Sequence, residues 1–167
     1  MHLQNDTWKR VERTCILALL TSLFLCNISF ADQDFVDTKS GQAMKIDAKL
    51  FDTAESKQFL STGTNPYTGN TTAIASGKKL YQSYSCGQCH GAQAQGQTAG
   101  GLTGPRYNHA KSSTDKGMFE IIWAGTNGGM SGKGKGVMDP SNQGNGLSPD
   151  EVLKVMAWAR SQGGVAK

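Results

Sequence analysis

Five consecutive residues, Cys86-Gly-Gln-Cys89-His90, constrain this chain more than any others. Two thiols three positions apart fall at one edge of a helical turn, where both can form thioethers with the vinyl groups of one porphyrin. The next residue then points its imidazole at the iron. Two other chemistries use a Cys-x-x-Cys pair. A thioredoxin-like redox couple needs a βαβ setting, which this sequence lacks. A zinc site needs a second pair of ligands, whereas the remaining histidines are only His2 and His109. The motif therefore predicts one covalently bound haem c, with its iron, and a chain folded around it.

The pattern along the chain fits such a filler. An Asp52-Thr-Ala-Glu55 run predicts a capped short helix near Thr53 to Leu60, with Asp52 as the cap and Glu55 returning to it. A longer helix is expected from about Thr72 to Tyr84, where Gly77, Leu80, Tyr81 and Tyr84 share a face. A third runs from Asp115 to Ala124 on an apolar side of Phe119, Ile122 and Trp123. The last begins at Ser148, with Pro149 in its first turn and Glu151 three residues after the cap; Val152, Val155, Met156 and Ala159 form its buried stripe. No run alternates apolar and polar residues for long enough to propose a sheet. The expected architecture is all-α: three main helices, glycine-rich loops and an N-terminal arm. Most of the 21 glycines fall between Gly87 and Gly146, so ordering these loops costs much entropy and short helices bury little in return.

Residues 1–31 read as a signal peptide. Lys9, Arg10 and Arg13 precede an apolar run from Cys15 to Cys26, and Ser29-Phe30-Ala31 supplies small residues at minus three and minus one. Thr21, Ser22 and Asn27 interrupt the run, which is shorter than the ~20 residues of a membrane span. Cleavage near Ala31 predicts export to the periplasm, an N-terminal arm over residues 32–70 and a haem-bearing domain over 71–167. Without the leader's three basic and two acidic residues the chain keeps 14 basic against 11 acidic, and Cys86 and Cys89 are its only cysteines. No cluster of Lys and Arg marks a phosphate-binding face, so nucleic acid is not an expected partner. Lys133 and Lys135, among glycines, read as a solvated loop.

A neutral His90 needs an acceptor for its second ring nitrogen, and the carbonyl of Gly100 is the candidate, in the loop that must pass that side of the ring. The opposite axial position suits a thioether, which raises the potential and closes the sixth site. Met118 and Met156 sit on helices and read as core. Met130 and Met138 both lie in the glycine-rich segment between the last two helices, and residue chemistry alone leaves them equal. His109 is a third option.

At these residues the chain resembles the cytochrome c-L family, the electron acceptors of quinoprotein methanol dehydrogenases. The resemblance spans about Ala54 to Gln162. It rests on Phe59-Leu60-x-Thr62-Gly63-x-Asn65-x-Tyr67, on Cys86-Gly-Gln-Cys89-His90-Gly91, on Thr114-Asp115-Lys116-Gly117-x-Phe119, and on Leu147-Ser-x-Asp150-Glu151-x-Leu153-Lys-Val-Met-Ala157-Trp158-x-Arg160. It implies a class I cytochrome c fold, a periplasmic electron carrier rather than an enzyme, and a methionine ligand just after the third helix, at Met130 rather than Met138. It also implies that Tyr107 lies near the haem propionates. A dehydrogenase of the PQQ type, lanthanide-dependent forms included, would donate electrons; a downstream c-type cytochrome or terminal oxidase would accept them. The carrier would be a monomer. Calcium, though conceivable beside the propionates, has no ligand set in the sequence. Three features depart from the family: Ala99-Gly100-Gly101-Leu102 replaces a proline-containing turn, residues Gly132 to Gly146 read as an insertion, and the acidic balance and C-terminal extension are missing. The alternatives are a haem subunit or carrier serving another periplasmic dehydrogenase, and a haem enzyme or gas sensor with an open sixth site, for which no distal His and Arg pair stands out.

Overall fold

The computed structural model describes residues 32–163, so the leader assigned to residues 1–31 lies outside them. Among the described residues five helices follow one another: α1 (Ala54–Thr62), α2 (Thr71–Ser83), α3 (Gly87–His90), α4 (Asp115–Ala124) and α5 (Pro149–Ser161). Two 3-10 turns, Ala48–Leu50 and Ala110–Ser113, complete the order. Among the described residues strand pairing is limited to isolated bridges, Val36 with Ala43, Gly125 with Ser131 and Gly134 with Leu147. The all-α expectation therefore holds.

Local chemistry sets the helix starts. Ser148 accepts from the backbone of Glu151 at 3.3 Å and Glu151 returns to the backbone of Ser148 at 2.8 Å, with Pro149 in the first turn. The cap of α1 differs from the sequence expectation by one residue. Thr53, not Asp52, is the cap: its hydroxyl accepts from Ser56 N at 3.0 Å, and Ser56 Oγ accepts from Thr53 N at 3.1 Å. Thr53 takes the place because its hydroxyl also donates to Asp150 Oδ1 at 3.0 Å, a partner 97 residues away that no local pattern reveals.

The body of the fold is the crossing of α2 and α5. Gly77 lies at the contact, and a Cβ there would run into the carbonyl oxygen of Lys154. One turn along, the Tyr81 and Trp158 rings meet with centroids 4.3 Å apart. Because α1, α2 and α4 all pack on α5, that helix buries more than the stripe read from its periodicity. Leu153, Ala157, Trp158 and the charged Asp150 and Arg160 are buried as well.

The arm is packed rather than loose. Phe35, Phe51 and Phe59 join Phe119 of α4 in one aromatic cluster, with Phe35 and Phe59 centroids 5.0 and 4.9 Å from that of Phe119. Buried Asn65 links three elements, since its N–H donates to Asp115 Oδ2 at 2.8 Å and its amide donates to Leu153 O at 2.8 Å. Tyr67 OH donates to Asp150 Oδ1 at 2.6 Å, and Lys154 Nζ reaches Asp150 Oδ2 at 2.6 Å. Burial pushes the Asp150 carboxyl up, but hydrogen bonds from Lys154, Tyr67 and Thr53 outweigh it and hold the group below the usual carboxylate range.

Two outcomes are expected. Gly77→Ala forces α2 away from α5 and lowers unfolding stability by about 1–3 kcal/mol in denaturant titration, the usual cost of overpacking. The depressed Asp150 contributes stability that is present above the ordinary carboxylate pKa of ~3.9 and is lost as pH falls through its lower folded value. Asp150→Asn should therefore lose about 1–3 kcal/mol at neutral pH, and its stability should fall less steeply than that of the unaltered chain below pH ~4.

Candidate functional site

The site begins where α2 ends. Ser85 takes a left-handed conformation, φ 57°, and reverses the chain so that Cys86 N donates to Tyr81 O at 3.1 Å. Cys86 then caps the single turn of α3, which carries Cys89 and His90, with His90 N donating to Cys86 O at 3.0 Å. Behind the turn, the buried Tyr81 hydroxyl donates to Gly91 O at 2.8 Å, and burial, followed by the two nearby thiols, raises its pKa. Tyr81 thus anchors the turn to the helix crossing.

After His90 the chain folds back on itself. Ala99 N donates to Cys89 O at 2.9 Å, Gly96 N to His90 O at 2.8 Å and Leu102 N to Ala94 O at 2.8 Å. These bonds set the Gly100 carbonyl 2.8 Å from His90 Nδ1. With Nδ1 engaged as donor, Nε2 is the ring nitrogen left with a lone pair for a metal. The turn reaches this geometry without proline: backbone hydrogen bonds on either side of Gly100 hold what a rigid ring would otherwise hold.

His90 opens onto a cavity of about 860 Å³. Cys86, Cys89, Gly100, Leu102, Tyr107, Ile121 and Met130 line it. Met138 does not line it and is 37% exposed, while Met118 and Met156 are buried in the core away from it. His109 is on the lining but exposed. Two loops contribute unequally to the cavity: of residues Gly91 to Thr98 only Thr98 is on the lining, whereas Gly125 to Val137 supplies Thr126 to Ser131 and Lys133. Lys133 is closer to the chemistry than a solvated loop residue. It lines the cavity, and its charge opposes the upward push that burial gives the Cys86 thiol pKa.

Sequence reasoning missed Arg160 as a site residue. It is 5% exposed and directs Nη1 to Tyr107 OH at 3.3 Å and Nη2 to Ser112 O at 3.2 Å. Its Nε lies 3.1 Å from Asp115 Oδ1, an ion pair by distance but without hydrogen-bond direction, so that atom has no partner. The available signal was a cation in the apolar run Ala157-Trp158-Ala159. Because the Tyr107 oxygen accepts from Arg160, its own O–H stays free to donate into the cavity. Among the described residues no group of three or more His, Cys, Asp or Glu could hold a separate metal ion.

A family model described as Cytochrome c matches residues 74–163. Cytochrome cL from Hyphomicrobium denitrificans superposes with a TM-score of 0.65 at 33% identity, over 78% of this chain and 73% of that one. Cytochrome cL from Methylophaga aminisulfidivorans gives 0.64 at 34%, over 77% and 80%. The chain belongs to the cytochrome c-L family. Cytochrome c-L of Methylorubrum extorquens is 33% identical over 129 residues, 75% of this chain but 60% of that protein, so the chain spans less than two thirds of that relative's length. The fold is the class I cytochrome c fold. Membership in the cytochrome c-L family brings one covalently bound haem c, and the donor set fits it. Two free thiols, an imidazole with its outer nitrogen engaged, and a thioether all face one largely apolar cavity.

A cytochrome c-L cavity of this size predicts a dependence on its cofactor. Cys86, Leu102, Ile121 and Met130 on its wall lose their apolar partner without the group, in a domain of a size that only ~5–15 kcal/mol holds together. Chain produced without haem attachment should therefore show no cooperative thermal transition by circular dichroism, while the holoprotein does.

Proposed function

We propose that this chain is a monomeric periplasmic electron carrier, exported by residues 1–31. It takes single electrons from a quinoprotein methanol dehydrogenase, lanthanide-type enzymes included, and delivers them to a downstream c-type cytochrome or terminal oxidase. The observation that supports the reading is that His90 and Met130 line one cavity with Cys86 and Cys89, the outer nitrogen of His90 being already held by Gly100 O.

Each residue has a role that follows from its position. Cys86 and Cys89 supply the thioether sulfurs at the exposed edge. His90 binds iron through Nε2, and the bond to Gly100 O keeps its ring oriented and electron-rich. Met130 fills the sixth position, favours the reduced state and excludes outside ligands. Tyr107, its oxygen accepting from buried Arg160, donates toward a propionate. Once bound, the iron supplies a one-electron couple, and no substrate bond is made or broken. A carrier that must leave its donor after each electron calls for brief contact through a small interface, below the ~1,200 Å² of stable complexes. Cytochrome c-L relatives from methylotrophic bacteria support the choice of donor.

Met130→Ala should lose the sulfur-to-iron charge-transfer band near the red end of the visible spectrum and fall in midpoint potential, while Met138→Ala keeps both. The reverse result would move the ligand to Met138. Stopped-flow reduction by purified methanol dehydrogenase should be faster than the mixing control; a rate equal to that control would remove this donor in favour of another periplasmic dehydrogenase.

A further inference from the structure

The turn that bears Met130 is held from outside by the N-terminal arm. Residues 35–44 form a tight reversal: Val36 bridges Ala43, Asp37 N donates to Gln42 O at 2.9 Å, and Met44 N donates to Phe35 O at 2.8 Å. Asp37 Oδ1 accepts from Lys39 N and Ser40 N at 2.8 and 3.0 Å and shapes the tip. The base of the reversal is fixed twice. Phe35 sits in the aromatic cluster, and Val36 N donates at 2.9 Å to Glu120 Oε1 of α4. Glu120 is 2% exposed, with Lys111 Nζ at 2.8 Å and Lys116 Nζ at 3.8 Å.

From this base the tip reaches the chain just past α4. The Thr38 hydroxyl donates to Gly125 O, and Lys39 O accepts from Asn127 Nδ2 at 3.0 Å. Gly125 leaves α4 with φ 83°, where a side chain would be strained and a Cβ would meet Met130 O; it pairs with Ser131, and Thr126 N donates to Met130 O at 2.8 Å. The turn Gly125-Thr-Asn-Gly-Gly-Met130-Ser131 contains no apolar side chain except Met130 itself. Met130 is its one side chain packed on the core, and its glycines favour the open chain.

We propose that the 35–44 reversal is a clasp that holds the Met130 turn over the iron site and thereby sets how readily the sixth position opens to other ligands. The proposal rests on Met130 being the axial ligand. Thr38 and Asn127 stand on the cavity lining and also tie the tip to the turn, and the clasp assigns them a positioning role through the turn. Opening of the turn is a local unfolding event, and a competing ligand binds in proportion to the population of the open form. The two tip contacts can therefore change ligand exchange without changing the rest of the fold.

The test uses mature holoprotein carrying Thr38→Val and Asn127→Ala together, in the ferric state, titrated with imidazole while the charge-transfer band is followed. Imidazole should bind about tenfold more tightly than to the unaltered protein, equivalent to about 1.4 kcal/mol, with the band still present before imidazole is added. Asp47→Ala serves as the comparison. It removes a hydrogen bond to Lys49 N elsewhere in the arm and should leave imidazole affinity within twofold of the unaltered protein. Affinity of the double variant within twofold of the unaltered protein, or an equal gain in Asp47→Ala, would overturn the clasp. Persistence of the band in Met130→Ala would instead sink the ligand assignment, so the two failures are told apart.

Discussion

Everything at the site is suspended from the place where α2 and α5 touch backbone to backbone at Gly77. That approach puts the Tyr81 ring against Trp158, and the Tyr81 hydroxyl then fixes the turn after His90 through the Gly91 carbonyl. The position of the imidazole is thus inherited from a helix crossing. A wider crossing would move Tyr81 and with it the turn, and the His90 to Gly100 bond depends on the same ten-residue fold-back. The same α5 carries Asp150 at its start, where it gathers Thr53, Tyr67 and Lys154, and Arg160 at its end, beside Tyr107. One helix therefore ties the arm, the crossing and the cavity wall together.

What the sequence made legible was whatever is encoded within a few residues. Helix spans came through because capping and periodicity are local: Ser148 and Glu151 cap each other, and Asp115–Ala124 has the bounds that its apolar face implied. Cys86, Cys89 and His90 are a local motif, and the Gly100 carbonyl lies one short loop away. The cap of α1 was misplaced by one residue because Asp150, across the fold, completes the hydrogen bonds of Thr53. Sequence left Met130 and Met138 equal, since spacing says nothing of which side of a glycine-rich loop faces inward; the structure puts one on the cavity and the other in solvent.

The least legible parts are pairs of distant polar groups. Val36 with Glu120, Lys39 with Asn127 and Asn65 with Leu153 are each separated by more than 80 residues, and none belongs to a pattern with a recognisable period. They became visible only as geometry. Yet several residues of the family resemblance are such joints: Phe59, Asn65 and Tyr67 ahead of the haem motif are where the arm meets the body. A family signature in this chain thus records contacts as well as chemistry.

The partner of the His90 ring is a main-chain oxygen, which belongs to the peptide unit whatever residue stands there. No single codon change can delete it. Heritable variation can weaken this particular bond only by displacing the fold-back loop, whereas the thioether of Met130, which we propose as the second ligand, is a side chain that one nucleotide can replace. On that ligand set the tuning of the couple is lopsided: the contact that orients the histidine is fixed by the main chain, and diversity in electron affinity has its easier route through the methionine.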